Sequence, residues 1–311
     1  MIHRDLLKRY LPDSAIRVLR RLRAQRNLMF RHFRSNPIVK GTTSIPLDDT
    51  SWFELQFHPE EALEKHGIRL PGLPPDEVQM GFTARSGRVN LQQAFSFYRY
   101  VCSVSHLNEI KEPTILDFGG GWGRISRFFL RDTRPESIFI ADCMTNAIHW
   151  LRTTKNPCNI IKNGPLPPID GLDKPLDLIY AFSVFSHLSE QCMRAWVAYF
   201  MDCLRPNGFL IFTTRGHQFI EQIDQLHREN SPFHARLREQ LPTPNVLRER
   251  HLKGELQFYP IGGAGELTPD FYGETFIPRS YFETHYGSVL VDFTEEVPDV
   301  DQSIVVLRRP G

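Results

Sequence analysis

The chain reads as an α/β protein with a doubly wound, mostly parallel sheet, and three observations predict it. From Pro113 onward, apolar runs of strand length alternate with segments at helical spacing, and parallel strands need such crossovers. The first of these runs, Thr114 to Phe118, breaks into glycines at 119, 120, 121 and 123, a strand leaving the sheet through a turn. The next run, Ser137 to Asp142, ends in a carboxylate, as a strand does when it delivers a functional group to the sheet edge.

Taken in order, Ser14 to Phe33 places Ile16, Leu19, Leu22, Met29 and Phe33 at helical spacing with arginines mostly off that stripe. Residues 1–34 are therefore expected to be a basic amphipathic helical extension, with Asp13 or Ser14 as its cap. Residues 35–81 hold six prolines, so apart from a short helix near Pro59 to Lys65 they read as a connecting segment. Residues 82–311 form the main domain, opening with a helix capped by Asn90 that runs to about Asn108. Strands are expected at 114–118, 137–142, 159–163, 176–182, 209–214, 288–293 and 303–308, seven in all, with Arg205 to Gly208 as a tight turn and a helix from Pro278 to Tyr286. Residues 216–277, inserted after the fifth strand, include helices near 218–240 and 246–251 and form a candidate substrate lid, since insertions at the carboxyl end of such a sheet lie beside the site.

The glycine turn carries the chemistry. Without side chains, Gly119, Gly121 and Gly123 can take positive φ and let the backbone approach a ligand, and a helix starting near Trp122 would present free N–H groups to it. A dinucleotide fingerprint G-x-G-x-x-G/A counted from Gly119 puts Arg124 where a small residue is wanted. Asp117 instead gives D-x-G-x-G, which resembles motif I of the class I methyltransferases that use S-adenosylmethionine. Three further stretches match that family in order: Asp142 ending the second strand, Leu176-Asp-Leu-Ile-Tyr-Ala-Phe-Ser as its fourth motif, and Leu204-Arg-Pro-Asn-Gly before the fifth strand. The resemblance covers about residues 113–215.

It implies a Rossmann-like fold whose last strand is antiparallel, and S-adenosylmethionine as cofactor. By resemblance, Asp117, Gly119, Gly120, Gly121 and Gly123 surround the methionine and ribose portions, and Asp142 takes the two ribose hydroxyls. Cys143, Met144, Asn163 and Phe182 complete the cofactor surface, with Asn163 set against the adenine amino group; an Asn-Gly turn accounts for that residue almost equally well. Arg85, in the loop before the first long helix, is a candidate for the cofactor carboxylate, with a solvated loop arginine as the plainer account. A hydroxyl acceptor profits from a general base, and His187 and His217 follow the fourth and fifth strands at the expected rim. Tyr272 is a weaker candidate from the lid. The segments Leu116 to Arg127, Ser183 to Leu188 and Gln302 to Pro310 also resemble methyltransferases associated with glycan assembly, so a carbohydrate or glycolipid hydroxyl is the expected acceptor. Small metabolites, proteins and a cofactor-binding module without turnover stay open.

Net charge is +1, yet residues 1–34 hold ten Lys/Arg against two Asp, leaving 27 against 34 elsewhere. That asymmetry suits peripheral contact with an anionic membrane, or a helix docked on its own domain or a second subunit with its arginines in water. Nucleic acid is disfavoured because the arginines are not interleaved with stacking aromatics. Five cysteines without a C-x-x-C pair suggest reduced thiols and no metal centre. No apolar run reaches membrane-span length, and charged residues near the start argue against a secretory leader, so a cytoplasmic location is expected.

Overall fold

The computed structural model describes residues 47–172, 175–229, 239–263 and 265–311. Seven strands form one sheet: β1 (Ile115–Phe118), β2 (Ile138–Asp142), β3 (Asn159–Lys162), β4 (Leu176–Ala181), β5 (Leu204–Thr214), β8 (Leu290–Thr294) and β9 (Ser303–Arg308), while β6 (Gln257–Tyr259) and β7 (Glu274–Phe276) pair separately. The order is β3-β2-β1-β4-β5-β9-β8. The first five strands are parallel, and β9 runs antiparallel to both β5 and β8. Strand order reverses beside β1, so the crevice at the carboxyl ends of β1 and β4 is where such a fold binds ligands.

Helices cover both faces, which is why β1, β2 and β4 are buried at every position and read as unbroken apolar runs. On one face, α6 (Glu190–Cys203) packs Trp196 and Phe200 on Phe118, and α9 (Arg279–Tyr286) sets Phe282 against Phe212. On the other, α4 (Gly87–Ser105) brings Phe95 and Tyr98 onto Phe128 and Phe129. Between β2 and β3 runs α5 (Thr145–Thr153).

The proline-rich stretch is more structured than its composition suggests. It holds α1 (Asp49–Leu55), α2 (Pro59–His66) and α3 (Asp76–Thr83). Asp48 caps α1 by accepting from the Ser51 N–H, Trp52 donates to the Phe128 carbonyl at 3.0 Å, and Arg127 donates to the carbonyls of Gln56 and Pro71. Prolines set where α2 and α3 begin; they do not prevent them.

Three local expectations need correction. Turns occupy residues 121–125, and a 3-10 segment, Ser126–Arg131, stands where an α-helix was expected, because Gly123 at φ 82° cannot belong to a helical first turn. Asn90 lies inside α4, fully buried, and Ser86 holds the cap position. Strand β5 passes through Arg205 to Gly208 as a bulge, with Asn207 at φ 67° and the register against β4 shifting between Leu176 and Leu178.

In the insertion lie α7 (His217–Glu229), α8 (Pro244–Leu252) and the β6–β7 pair. Residues 1–34, and the expected continuation of α7 through 230–238, lie outside the described residues. Among the described residues no helix is long and apolar enough to cross a membrane.

Candidate cofactor and acceptor site

The glycine turn folds back on β2. Gly119 and Gly120 donate to the Ala141 carbonyl at 2.8 and 3.3 Å, and Gly121 donates to Asp142 Oδ2 at 2.9 Å. Gly119 sits at φ 69°, and a Cβ there would stand 2.3 Å from Val184, so the space beside the turn admits backbone only. The other oxygen of Asp142, Oδ1, accepts from the Met144 N–H at 2.8 Å. This carboxylate is 6% exposed, and burial raises its pKa against the two amide donors that lower it. Each oxygen keeps a lone pair beyond its amide contact, which is what two vicinal hydroxyls require.

Beside it, Asn163 is buried and donates from Nδ2 to the Gly164 carbonyl at 2.7 Å. Only the amide nitrogen can donate to a carbonyl, so the buried Oδ1 is an acceptor with no partner. Asn163, Cys143, Gly119 and Val184 line one cavity together with Phe271 and Tyr272 from the insertion. Burial pushes the Cys143 thiol up to about 11, so it faces that cavity protonated.

The end of the insertion is stitched over this cavity. Ser189 donates to the Phe271 carbonyl at 2.9 Å, Gly273 to His187 at 2.8 Å and Thr275 to Ser186 at 2.9 Å. At the far side, Glu266 accepts from the Thr145 N–H at 3.1 Å, from the Thr145 hydroxyl, and from Lys162 Nζ at 3.2 Å. The strap thus runs from the β4 exit to the start of α5.

Asp117 lies beneath the turn. It is 1% exposed, pairs in register with Ile140 and Tyr180, and its Oδ2 has no hydrogen-bond partner. Burial raises its pKa to about 7, tempered by the nearby Tyr180 and Ser126. Phe182 sits on the opposite side of the β4 exit, its ring 4.8 Å from the Arg124 guanidinium and 5.1 Å from the Phe97 ring. The next residue, Ser183, takes φ 58° and is held by Thr213 and Gln302, its N–H donating to Thr213 Oγ1 at 2.7 Å.

The two histidines part company. His187 Nδ1 donates to the Gly273 carbonyl at 2.8 Å, which fixes the tautomer, and Nε2 faces Arg215 Nη2 at 3.5 Å. Its ring stacks on Tyr272 at 4.8 Å, and burial with the Arg215 charge pushes its pKa down to about 3. A neutral imidazole whose lone pair meets a guanidinium is a poor proton acceptor. His217 is exposed, pairs with Glu221 at 3.6 Å and does not line the cavity. Either histidine was a candidate base; in this geometry His187 has its Nε2 against Arg215 and His217 lies off the cavity. Arg85 forms an ion pair with Asp301, away from any free role.

Spacing did not single out Arg124, Arg215 or Glu274. Arg215 is 8% exposed, ion-paired to Glu274, with Phe219 4.2 Å beneath its guanidinium. Its position directly after β5 was the available signal; Glu274 lies two residues after the lid candidate Tyr272.

Residues 116–210 match the family model described as a methyltransferase domain. The curated malonyl-[acyl-carrier protein] O-methyltransferase of Bacteroides fragilis (strain 638R) is 26% identical over 144 residues, 44% of this chain but only 28% of that protein's length. A solved S-adenosylmethionine-dependent methyltransferase from Clostridium acetobutylicum ATCC 824 aligns over 70% of this chain and 92% of its own at 11% identity, TM-score 0.46. For the N-methyltransferase NodS from Bradyrhizobium japonicum WM9 the figures are 76%, 97%, 12% and 0.43. Scores that low add nothing to the strand order, on which the fold stands. The matched stretch runs from β1 into β5 and holds the glycine turn, Asp142 and Asn163, so the similarity to a methyltransferase domain falls on the candidate cofactor corner.

Proposed function

We propose that the protein transfers a methyl group from S-adenosylmethionine to a hydroxyl of a carbohydrate or glycolipid. One observation carries the cofactor half: Asp142, fixed between two backbone amides, stands near an unpaired Asn163 Oδ1 in the same corner of the sheet. Asp142 would hold the ribose hydroxyls, Asn163 Oδ1 would accept from the adenine amino group, and the turn at Gly119 to Gly121 would pass against the ligand. When bound, the cofactor supplies an electrophilic methyl on a sulfonium. The chain orients it, and the strap at Phe271 and Tyr272 excludes water, which matters because in-line transfer draws much of its rate from positioning.

The acceptor rests on the resemblance of three segments to glycan-assembly methyltransferases. His187 serves as a positioning residue for the strap, holding Gly273 and Tyr272. That favours a second reading, an acidic acceptor that arrives already ionised and needs no base, the class named for the Bacteroides fragilis relative. Contact with an anionic membrane through residues 1–34 belongs with the glycolipid reading.

The test supplies methyl-labelled cofactor and cell extract, then separates glycan, lipid, protein and small-acid fractions. Label in glycan or glycolipid is expected. Label on carboxylates or acyl carriers would install the second reading, and tight S-adenosylhomocysteine binding with no label anywhere would leave a binding module without turnover.

A further inference from the structure

A groove of about 460 Å³ lies at the end of the sheet remote from the cofactor corner, walled by α6, the end of α9 and the chain that flanks β8 and β9. Arg309, on its rim, donates its N–H to the Gly208 carbonyl at 2.9 Å, and α6 leads directly into β5. The groove therefore borders the amino end of β5, whereas the crevice opens at the carboxyl ends of β1 and β4. The two share no lining residue: Trp196 lines the cofactor cavity, and its neighbour Val197 lines the groove. Arg194, Val197 and Met201 follow one another at helical spacing along α6, so the groove is two turns long, about 10 Å. Val197, Met201 and Val289 give it an apolar floor, and its volume is that of a small-molecule site.

The ends of the groove differ in charge. At one, Arg194 is ion-paired with Glu190 at 3.1 Å and also contacts the Tyr281 hydroxyl at 3.2 Å and His285 Nδ1 at 3.1 Å. At the other, half-buried Arg309 donates from Nη1 to the Asp202 carbonyl at 2.9 Å and to the Leu204 carbonyl. Those carbonyls end α6, where a cation is favoured, and that accounts for a single nitrogen. Among the described residues no carboxylate pairs with Arg309, and its Nε and Nη2 make no hydrogen bond. The lining sets Arg194 and Arg309 against Asp202, within residues 35–311 that hold 27 Lys/Arg against 34 Asp/Glu. The groove is thus a basic spot on an acidic body, and it favours an anion.

We propose that this groove binds an amphiphilic monocarboxylate, a medium-chain fatty acid being the simplest, with its headgroup on the free edge of Arg309 and its chain along Val197, Met201 and Val289. The inference is independent of the cofactor assignment. One open guanidinium edge beside Asp202 matches a single negative charge, whereas a phosphate monoester brings nearly two. The apolar floor calls for a chain in place of a second polar group.

Titration calorimetry on the full chain would compare decanoate, 1-decanol and acetate on the wild type, Arg309→Gln, Ala198→Trp and Arg308→Gln. Ala198 is exposed on α6 and lines the groove, so a tryptophan there fills it without entering the core; Arg308 is exposed and lies off the lining. The wild type should bind one decanoate, prefer it to decanol by roughly 10-fold, the worth of a charge-assisted hydrogen bond, and ignore acetate. Arg309→Gln should bring decanoate down to the affinity of decanol, Ala198→Trp should lose both, and Arg308→Gln should change neither. S-adenosylhomocysteine affinity unchanged in all three variants would show them folded; if Arg309→Gln fails that check, Ala198→Trp decides alone. Decanoate binding that survives Ala198→Trp, or a preference that survives Arg309→Gln, places the ligand elsewhere and overturns the proposal. Equal losses in Arg308→Gln would overturn it as non-specific attraction, as would a wild type without saturable binding. A capped tetrapeptide of two glutamates flanking two leucines that binds more tightly than decanoate would overturn it in favour of a protein partner.

Discussion

Asp117 shows how a residue legible by motif takes its electrostatics from the strands beside it. The D-x-G-x-G spacing marked it as a ligand-side acid, yet a residue that precedes a strand-end turn by two positions still belongs to the sheet, and here it lies between β2 and β4. Asp142 and Asn163 were easier, because a residue at or just past a parallel strand's carboxyl end reaches the crevice whatever the turn does. Arg124 could not be read at all, since its acceptors sit 31 and 34 residues earlier on α4. For Asp117 the consequence is a pH signature. Its folded pKa, about 7, is above the unfolded value, so the native state holds the extra proton; the associated stability is full below about pH 4 and is lost as pH rises through 7. Asn cannot ionise. Denaturant unfolding of Asp117→Asn should therefore gain on the wild type by roughly 2–3 kcal/mol between about pH 5 and about pH 8. A pH-independent gap would show that the buried carboxyl ionises normally.

At the scale of elements, the strands were readable because burial on both faces leaves continuous apolar runs, whereas the 3-10 segment after Gly123 imitates helical spacing through Ile125, Phe128 and Phe129. The strap over the cavity left almost no pattern. Its fixity comes from backbone pairing with residues 186–189 and from one distant carboxylate. Glu266 is exposed, and hydrogen bonds from Thr145, its own backbone and Lys162 hold its pKa down at about 2, so the latch is charged throughout the working pH range. Opening the strap should then be the step that frees the ligand. Lys162→Glu should speed S-adenosylhomocysteine dissociation several-fold in stopped-flow measurements with little change in melting temperature, because exposed pairs contribute little to global stability. The double variant Lys162→Glu with Glu266→Lys should restore slow release. If dissociation is indifferent to both, the contact is ornamental and the ligand leaves by another route.

For the whole molecule, the sheet order could be anticipated only through resemblance, since alternation of strands and helices establishes parallel crossovers but not which strands neighbour β1. Charge distribution is different: it is fully written in the sequence. Residues 1–34 carry a net +8 and the remaining chain −7, so the basic segment acts against an otherwise acidic protein. An anionic surface would attract the one part and repel the other, and attraction on the order of 1 kcal/mol per basic residue near such a surface decides in favour of binding by that segment. Co-sedimentation of the full chain with phosphatidylglycerol vesicles should fall as salt rises from about 0.05 to about 0.3 M, which shortens the Debye length from about 14 to about 6 Å. Reversing Arg17, Arg20, Arg21 and Arg23 to Glu should abolish it at every salt concentration, while calorimetry with S-adenosylhomocysteine reports unchanged cofactor affinity. Neutral vesicles should bring down neither protein. Salt-independent sedimentation that survives the reversal would assign any membrane contact to apolar surface elsewhere, and would remove the charge asymmetry as the reason for placing the acceptor at a membrane.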